Sequence, residues 1–334
     1  MKIKLKSVLL ILLIIIILAI IFGFYLFNML MSPVVSDKLN PEYKQFSVKI
    51  PRGSGLKTVG QNLYENDMIK SSLVFYIYSR FTKPQIKAGV YNIDNTLSVK
   101  EIISVFETGK QAQIVVSIPE GLTMRRIGEI LERNDVVTKD DFLVSCRNPE
   151  LLKKYNLENI ESFEGFLFPD TYHFTPSMNS DEVVTFMVDN FFNKISQIKG
   201  FENLSTEQMY YVLRLASIVE REYRIKEEAP LIASVFSNRL RRTIGLYSCA
   251  TVEYIITEIE GRPHPDVITY KDLKIESPYN TYIHAGLPPT PISNPGVIAL
   301  SAAVNPPKTS YYFFRLKDDE KGKTKALDFQ IHHY

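Results

Sequence analysis

The chain has 334 residues, of which 45% are hydrophobic and 23% are charged, and this composition excludes an intrinsically disordered protein. The 39 basic and 37 acidic residues give a formal net charge of +2, and no long basic run concentrates it, which argues against nucleic-acid binding. The two cysteines, Cys146 and Cys249, form no CxxC pair, so no zinc or redox motif is indicated. One disulfide is possible if the protein is exported.

The N-terminal segment predicts a membrane anchor. An apolar run from Val8 to about Met31 is long enough to cross a hydrocarbon core of about 30 Å. The alternative, a cleaved signal peptide, has an apolar region of about 7–15 residues and a small-x-small cleavage site, which this sequence lacks. Three lysines before the run place the N-terminus in the cytoplasm and the rest of the chain outside: Lys2, Lys4 and Lys6. We therefore expect a cytoplasmic tip and transmembrane helix at 1–31 and a linker at 32–43.

An ungapped repeat follows the linker. Ile50-Pro51-Arg52-Gly53 matches Ile118-Pro119-Glu120-Gly121, and Asn66-Asp67 matches Asn134-Asp135 at the same offset. Each copy predicts a short strand, a Pro/Gly turn, a helix of about ten residues and an Asn-Asp turn. Two copies are too few for a solenoid, so small α/β modules are expected within 44–150. Such units resemble LysM-type glycan-binding modules, and a purely structural duplication is the alternative.

The pattern changes from about residue 151 onward, where long amphipathic helices alternate with loops rich in Pro, Asn and Tyr. Apolar residues recur at helical spacing across 180–198, and Pro230 suits the first turn of a helix that ends near Arg242. Beyond Glu260 the loops offer aromatic faces and amides, which would suit a carbohydrate cleft or an irregular packed shell. The sequence thus predicts an α+β fold with a helix-rich domain at 151–334.

Several common catalytic sites are missing from the sequence. It contains no HExxH motif, and its five histidines show no metal-ligand spacing apart from one adjacent pair near the C-terminus. It contains no GxSxG motif, and the stretch from Gly53 to Thr58 lacks the glycine that a phosphate loop needs before its lysine. No metal and no cofactor are therefore expected, and carboxylate chemistry remains.

One glutamate lies in an unusual position on a predicted helix. Ser205 and Gln208 form a capping-box signature that starts this helix. Glu220 then falls on the same helical face as the apolar residues Leu213 and Ala216. Apolar surroundings should raise the pKa of this carboxyl group, so that it could donate a proton to a glycosidic oxygen near neutral pH.

The surroundings of Glu220 allow two interpretations. Small residues one turn earlier, Ala216 and Ser217, would leave space for a substrate beside the carboxyl group. Alternatively, Glu220 pairs with a buried arginine such as Arg214 or Arg239, since buried charges are normally paired.

A second candidate is the segment from Ser162 to Tyr172, which carries two acids and four aromatic residues in a turn-rich sequence. Glu164 and Asp170 could line a sugar-binding groove. They could also cap backbone amides in an aromatic-anchored loop.

Five motifs in the second half of the chain occur together and in one order. They are Glu164-Gly165-Phe166-Leu167-Phe168-Pro169-Asp170-Thr171-Tyr172, Leu215-Ala216-Ser217-Ile218-Val219-Glu220-Arg221-Glu222, Val235-Phe236-Ser237-Asn238-Arg239-Leu240, Ser277-Pro278-Tyr279-Asn280-Thr281-Tyr282, and the run from Gly286 to Gly296 that contains Pro288-Pro289 and Asn294-Pro295. In these motifs, and in its N-terminal anchor and repeat region, the chain resembles the MltG/YceG-like endolytic murein transglycosylases over nearly its full length.

This resemblance implies a single-pass membrane enzyme that cleaves the bond between N-acetylmuramic acid and N-acetylglucosamine within nascent peptidoglycan strands. It places the catalytic glutamate of the family on Glu220, which would act as acid and then base and leave a 1,6-anhydro end. It implies a catalytic domain at 151–334 outside the cytoplasmic membrane (periplasmic in a Gram-negative cell), with peptidoglycan synthases and division or elongation proteins as partners. By the same matching, the expected substrate-binding residues are Glu164, Glu222, Asn238, Ser248, Tyr279, Asn280 and Thr281.

The sequence departs from the family pattern in three places. Tyr247-Ser248-Cys249-Ala250-Thr251-Val252 lacks the acid and proline of the family's Gln-Ser-Asp-Pro-Thr-Val. Thr290-Pro291-Ile292 stands where Gly-Pro-Ile is common, and the C-terminal His-x-Phe-Ser-like motif is blurred in Leu327-Asp328-Phe329-Gln330-Ile331-His332. None of these changes involves Glu220, so activity is expected to be retained.

Two other functions stay open on the sequence. A hydrolase could use Glu220 together with Glu164 or Glu222 and would leave reducing ends. A catalytically silent scaffold could bind glycan and hold a cell-wall synthase.

Overall fold

The computed structural model describes residues 2–51, 53–109, 111–318 and 324–330. The chain forms two compact units: Met1–Ile114 with Thr175–Ser177, and Val115–Phe174 with Met178–Tyr334. The described residues are a mixture of helices and two-stranded sheets, which confirms the mixed α and β composition that the sequence predicts. Arg52, in the first copy of the repeat, and Ile331-His332, in the C-terminal motif, lie outside the described residues.

The first helix, α1 (Lys2–Met31), carries apolar side chains on all sides, and those from Val8 to Tyr25 are exposed. The stretch Ser7–Met31 is long and apolar enough to cross a membrane. A helix that is apolar all round and exposed to solvent would be unstable in water, so this helix is compatible with a single-pass membrane anchor.

The rest of the first unit is built around one antiparallel strand pair. Strand β1 (Gln45–Ile50) pairs with β2 (Gly89–Asp94), and Gln45 lies opposite Asp94. Three helices belong to the same unit: α2 (Leu56–Glu65), α3 (Ser72–Thr82) and α4 (Val99–Thr108). Their buried faces and those of the strands share one apolar core, whose fully buried members include Leu63, Phe75, Tyr91, Ile102 and Phe106.

The repeat produces equivalent local structure in its two copies. Helix α5 (Met124–Arg133) has the same ten-residue length as α2 and begins at the equivalent position. The turns also correspond, because Gly53 and Gly121 both have positive φ, as do Asp67 and Asp135. Nevertheless, the boundary between the units falls at Ile114/Val115, within the predicted 44–150 region, so the copies lie in different units. The reason is that β3 (Ile114–Ser117) pairs with β4 (Thr171–Phe174), which comes from later in the chain.

Helices form most of the second unit. The short α6 (Lys139–Ser145) and α7 (Pro149–Lys154) precede the long α8 (Ser180–Ile195), α9 (Thr206–Glu222) and α10 (Ala229–Arg241). Next come α11 (Cys249–Tyr254), a π-helical turn (Ile255–Ile259), a 3₁₀ turn (Asp272–Lys274) and α12 (Val297–Val304). The strands β5 (Phe313–Asp318) and β6 (Thr324–Gln330) pair antiparallel after α12. Helix α9 packs against α10, α11 and α12, so it is surrounded by other elements.

Candidate active site

Glu220 lies in the last turn of α9, beside the loop that leads into α12. Ser205 caps the helix with the reciprocal bonds to Gln208 that the sequence predicts. Glu220 is half-buried, and its Oε2 accepts a hydrogen bond from the backbone N–H of Gly296 at 2.9 Å. The hydroxyl of Tyr223 donates a further hydrogen bond to the same carboxyl group.

Opposing electrostatic effects bring the pKa of Glu220 close to neutral pH. Burial raises its pKa from 4.5 to about 7, and the negative charge of Glu120 adds to the rise. The N–H of Gly296, the hydroxyl of Tyr223 and the charge of Arg221 act in the opposite direction. A carboxyl group with a pKa near 7 can both give and accept a proton at neutral pH, as acid/base catalysis requires.

The structure favours neither of the two detailed expectations for the neighbours of Glu220. Ala216 and Ser217 are fully buried, and Ser217 holds the loop before α12: its Oγ accepts from Ile292 N at 3.0 Å and its carbonyl accepts from Ser293 Oγ at 2.9 Å. The expectation that these small residues make room for substrate was therefore wrong, because the chain itself fills that space. Arg214 and Arg239 donate to backbone carbonyls, and the cation that acts on Glu220 is Arg221.

Glu164 is buried rather than exposed to solvent. Its carboxyl oxygens accept hydrogen bonds from Met124 N at 2.9 and 3.1 Å and from Asn294 Nδ2 at 2.9 Å. Burial raises its pKa from 4.5 to about 8. Glu164 thereby ties the start of α5 to the loop before α12. This position suits a residue that holds the site together better than one that contacts substrate.

The glycine after Glu164 is required by both its backbone and its neighbours. Gly165 has φ +91°, and an added Cβ would lie 2.7 Å from Pro291 Cβ and 3.1 Å from Leu213 Cδ2. We expect Gly165→Ala to lower the free energy of unfolding by about 2–4 kcal/mol, since it combines left-handed strain with overpacking. Denaturant unfolding of the detergent-solubilised chain would measure this. Gly261→Ala is the matched control, because Gly261 has φ +64° and open space around it, and should cost about 1–2 kcal/mol. Equal losses in both variants would contradict the packing argument.

Three of the predicted substrate-binding residues meet in one network at the end of α9. The hydroxyl of Ser248 donates to Glu222 Oε1, and Ser248 N donates to Thr281 Oγ1 at 3.2 Å. Thr281 Oγ1 also lies 3.0 Å from Thr251 Oγ1. Burial raises the pKa of Glu222, while the bond from Ser248 and the charge of Arg221 lower it. The network fixes the loop after α10 to the C-terminal end of α9.

The remaining predicted residues hold loops in place. Asn238 is buried and its Nδ2 donates to the carbonyls of Thr309 at 3.1 Å and Tyr311 at 2.7 Å. Asn280 is fully buried and donates to two carbonyls in the same way, those of Leu273 at 3.1 Å and Ile275 at 2.8 Å. The hydroxyl of Tyr279 bonds to Thr290 Oγ1 at 2.9 Å. Since the amide donors are occupied by backbone carbonyls, these asparagines shape the loops rather than offer free groups.

Sequence reasoning missed two residues that contact this site. Glu120 is exposed, and an added Cβ on Gly296 would lie 1.8 Å from its Oε1. Tyr223 follows α9 directly and bonds to Glu220. One signal for Glu120 was present, because it stands in the Pro-Glu-Gly turn of the repeat, where the first copy has Arg52.

The cysteines are both free. Cys146 is fully buried and Cys249 is exposed, so the disulfide left open by the sequence is not formed. Cys249 Sγ lies 3.0 Å from the hydroxyl of Tyr282, at the position where the sequence departs from the Asp-Pro of the family pattern.

Comparison with known proteins gives concordant matches over most of the chain. The sequence model of the YceG-like family matches residues 48–332. An endolytic murein transglycosylase of Bacillus subtilis (strain 168) is 29% identical over 326 residues, which cover 92% of this chain and 88% of that protein. An endolytic murein transglycosylase of Streptococcus pneumoniae serotype 2 is 26% identical, covering 93% of this chain and 61% of that protein. The crystal structure of a YceG-like protein from Listeria monocytogenes aligns with a TM-score of 0.56 at 30% identity, covering 86% of this chain and 97% of that one.

Proposed function

The chain belongs to the YceG-like family, and on that premise we propose that it is an endolytic murein transglycosylase. Its substrate is the peptidoglycan glycan strand, which it cleaves between N-acetylmuramic acid and N-acetylglucosamine to leave 1,6-anhydro ends. The relatives that carry this name match it over nearly the full chain. The observation that carries the proposal is Glu220, a half-buried carboxyl group with a pKa near 7 at the end of α9.

Glu220 performs both proton transfers of the reaction. As the acid, it protonates the glycosidic oxygen while the bond from that oxygen to C1 of the muramyl residue breaks, and positive charge develops at C1. As the carboxylate, it then takes the proton from the 6-hydroxyl of the same muramyl residue while that oxygen bonds to C1. The carboxyl group ends in its starting state, and no water is consumed.

The other predicted site residues support this chemistry by holding the site in shape. Glu164 holds the loop that supplies the Gly296 N–H to Glu220, through its bond to Asn294. Glu222, Ser248 and Thr281 fix the end of the same helix. We assign Asn238, Tyr279 and Asn280 to the loops that form the walls of the substrate cleft, since preorganised supporting bonds keep catalytic groups in place.

The first 31 residues are the membrane anchor in this proposal. The lysines before the apolar run favour a cytoplasmic N-terminus and an extracytoplasmic catalytic domain. Such a location brings the enzyme to newly made strands and to partners such as peptidoglycan synthases and division or elongation proteins. The strand pair and helices of the first unit serve as a LysM-like glycan-binding region in this proposal.

A digest of un-crosslinked glycan strands by the detergent-solubilised protein tests the proposal, with the products analysed by mass spectrometry. We expect muropeptide chains that end in 1,6-anhydromuramyl residues. Reducing ends would instead identify a hydrolase. Retention of glycan without any cleavage would identify a scaffold, and either result would overturn the proposal.

A further inference from the structure

Glu120 lies beside Glu220, and the proposed function gives it no role. We propose that Glu120 is a second catalytic carboxylate of this site, which stabilises the positive charge at C1 while Glu220 transfers the protons. This inference rests on the proposed function and adds a residue to it. Glu164 and Glu222, which would be the second carboxylate in the alternative hydrolase, are each bonded to the chain itself, so neither fills this role.

The turn that carries Glu120 is firmly attached to the active site. Gly121 N donates to Asn294 O at 2.9 Å, and Asn294 N donates back to Leu122 O at 2.8 Å. Arg221, next to Glu220 on α9, donates to Gly121 O at 3.3 Å. These bonds connect the turn both to the loop before α12 and to the end of α9, so the backbone at Glu120 is held beside the site while its side chain is exposed.

Gly296 brings the two carboxyl groups together. Its N–H donates to Glu220 Oε2 at 2.9 Å, and the place of its missing Cβ is occupied by Glu120 Oε1, 1.8 Å away. Adding these two distances to the bond lengths at Gly296 gives an upper limit of about 8 Å between an oxygen of Glu120 and an oxygen of Glu220. The φ of Gly296 is −83°, a value open to any residue, so the glycine is explained by the space that Glu120 takes.

The charge of Glu120 is not neutralised by the part of the chain that the structure describes. No ion pair or side-chain hydrogen bond involves it there, in contrast to Glu129 and Glu258, which both pair with Arg125. The groups that face Glu220 are Glu120, Tyr223 and Arg221, and Arg221 is itself paired with Glu253 from α11. The charge of Glu120 contributes to the raised pKa values of Glu220 and Tyr223, although burial is the largest cause of both.

A second carboxylate beside the acid suits cleavage of a glycosidic bond. The transition state at a glycosidic bond has oxocarbenium character, so a negative charge nearby stabilises it more than it stabilises the ground state. Glu120 exchanges no proton in this scheme. Its contribution is electrostatic and depends on charge, which the isosteric glutamine lacks and aspartate retains.

The test compares Glu120→Gln, Glu120→Asp and the wild type in full-length detergent-solubilised protein on un-crosslinked glycan strands. We expect Glu120→Gln to lower kcat by about 10²-fold with little change in KM, while the products keep their anhydro ends. Removing the negative charge also lowers the pKa of Glu220, so the loss of activity at alkaline pH should begin at a lower pH. Glu120→Asp should keep the wild-type pH profile, and Glu158→Gln, at an exposed glutamate elsewhere in the second unit, should match the wild type.

Gly296→Ala is an independent route to the same state. The new Cβ would displace the flexible end of Glu120 but would keep the N–H that bonds to Glu220. We expect the loss of activity at alkaline pH to begin at a lower pH, as in Glu120→Gln, and no further loss when the two substitutions are combined.

The outcomes separate this inference from the proposed function. If the wild type makes no anhydro ends, the proposed function fails. If it makes them and Glu120→Gln keeps the wild-type kcat, the role of Glu120 is refuted. A lower kcat with an unshifted pH profile, in a variant whose melting temperature is unchanged, would also refute it.

Discussion

Replacement of Glu220 by Gln is expected to lower kcat on glycan strands by about 10²–10⁴-fold, the range for loss of a general acid/base. Glutamine keeps an oxygen that can accept from Gly296 N, so the local structure should survive. It has no proton to give to the glycosidic oxygen and cannot remove one from the 6-hydroxyl. Release of anhydro-ended products, quantified by mass spectrometry, measures the effect.

A matched control is available on the same helix. Glu207 lies exposed in the first turn of α9, so Glu207→Gln changes the same functional group at the far end of the element. Its kcat should equal that of the wild type. If Glu220→Gln and the wild type released products at the same rate, another group would have to be the acid.

The pH dependence of the wild-type enzyme follows from the same carboxyl group. Because the pKa of Glu220 is raised to about 7, the fraction that can act as acid declines as the pH rises through that value. We expect kcat to fall on the alkaline side of about pH 7. A rate that stayed constant from pH 6 to pH 9 would contradict protonation by Glu220 as the limiting requirement.

Removal of the buried Glu164 carboxyl group should have a large effect on stability. Glu164→Ala would leave Met124 N and the Asn294 amide buried without their acceptor and would open a cavity. We expect a loss of about 2–4 kcal/mol in the free energy of unfolding. Denaturant unfolding of the detergent-solubilised protein measures it, and Glu164→Gln, which keeps an acceptor oxygen, should lose much less.

The raised pKa of Glu164 also predicts how the stability of the protein depends on pH. The pKa of Glu164 is about 8 in the folded chain and near 4.5 when unfolded, so between these values the folded chain binds more protons. Its stability contribution is complete below pH 4.5 and is lost as the pH rises towards 8. Glutamine cannot ionise, so the stability of Glu164→Gln relative to the wild type should rise from pH 5 to pH 8. A wild type that instead gained stability relative to Glu164→Gln with rising pH would mean that Glu164 is ionised in the folded chain.

Local features of the fold follow directly from the sequence. The capping box of Ser205 sets the start of α9, and the matched Pro/Gly turns set the starts of α2 and α5. Each of these features depends on hydrogen bonds and φ preferences within a few residues, which is why a sequence pattern can predict them. The apolar N-terminal run is likewise local, since length and composition alone make it able to span a membrane.

The division into units and the environment of each carboxyl group depend on contacts between distant segments. The two repeat copies lie in different units because β3, which precedes the second copy, pairs with β4 (Thr171–Phe174). Glu164 and Glu220 occur in equally recognisable motifs, yet one is enclosed by Met124 and Asn294 and the other lies at the edge of α9.

The sequence by itself therefore determined the family, the apolar N-terminal helix and the identity of the candidate acid, because each depends on contiguous residues. Only the tertiary structure decided that Glu120, and not Glu164 or Glu222, stands beside that acid. The physical reason is that a carboxyl group's burial, partners and field come from whichever segments pack around it. In this chain those segments are the Pro-Glu-Gly turn, the end of α9 and Gly296, which are brought together only by folding.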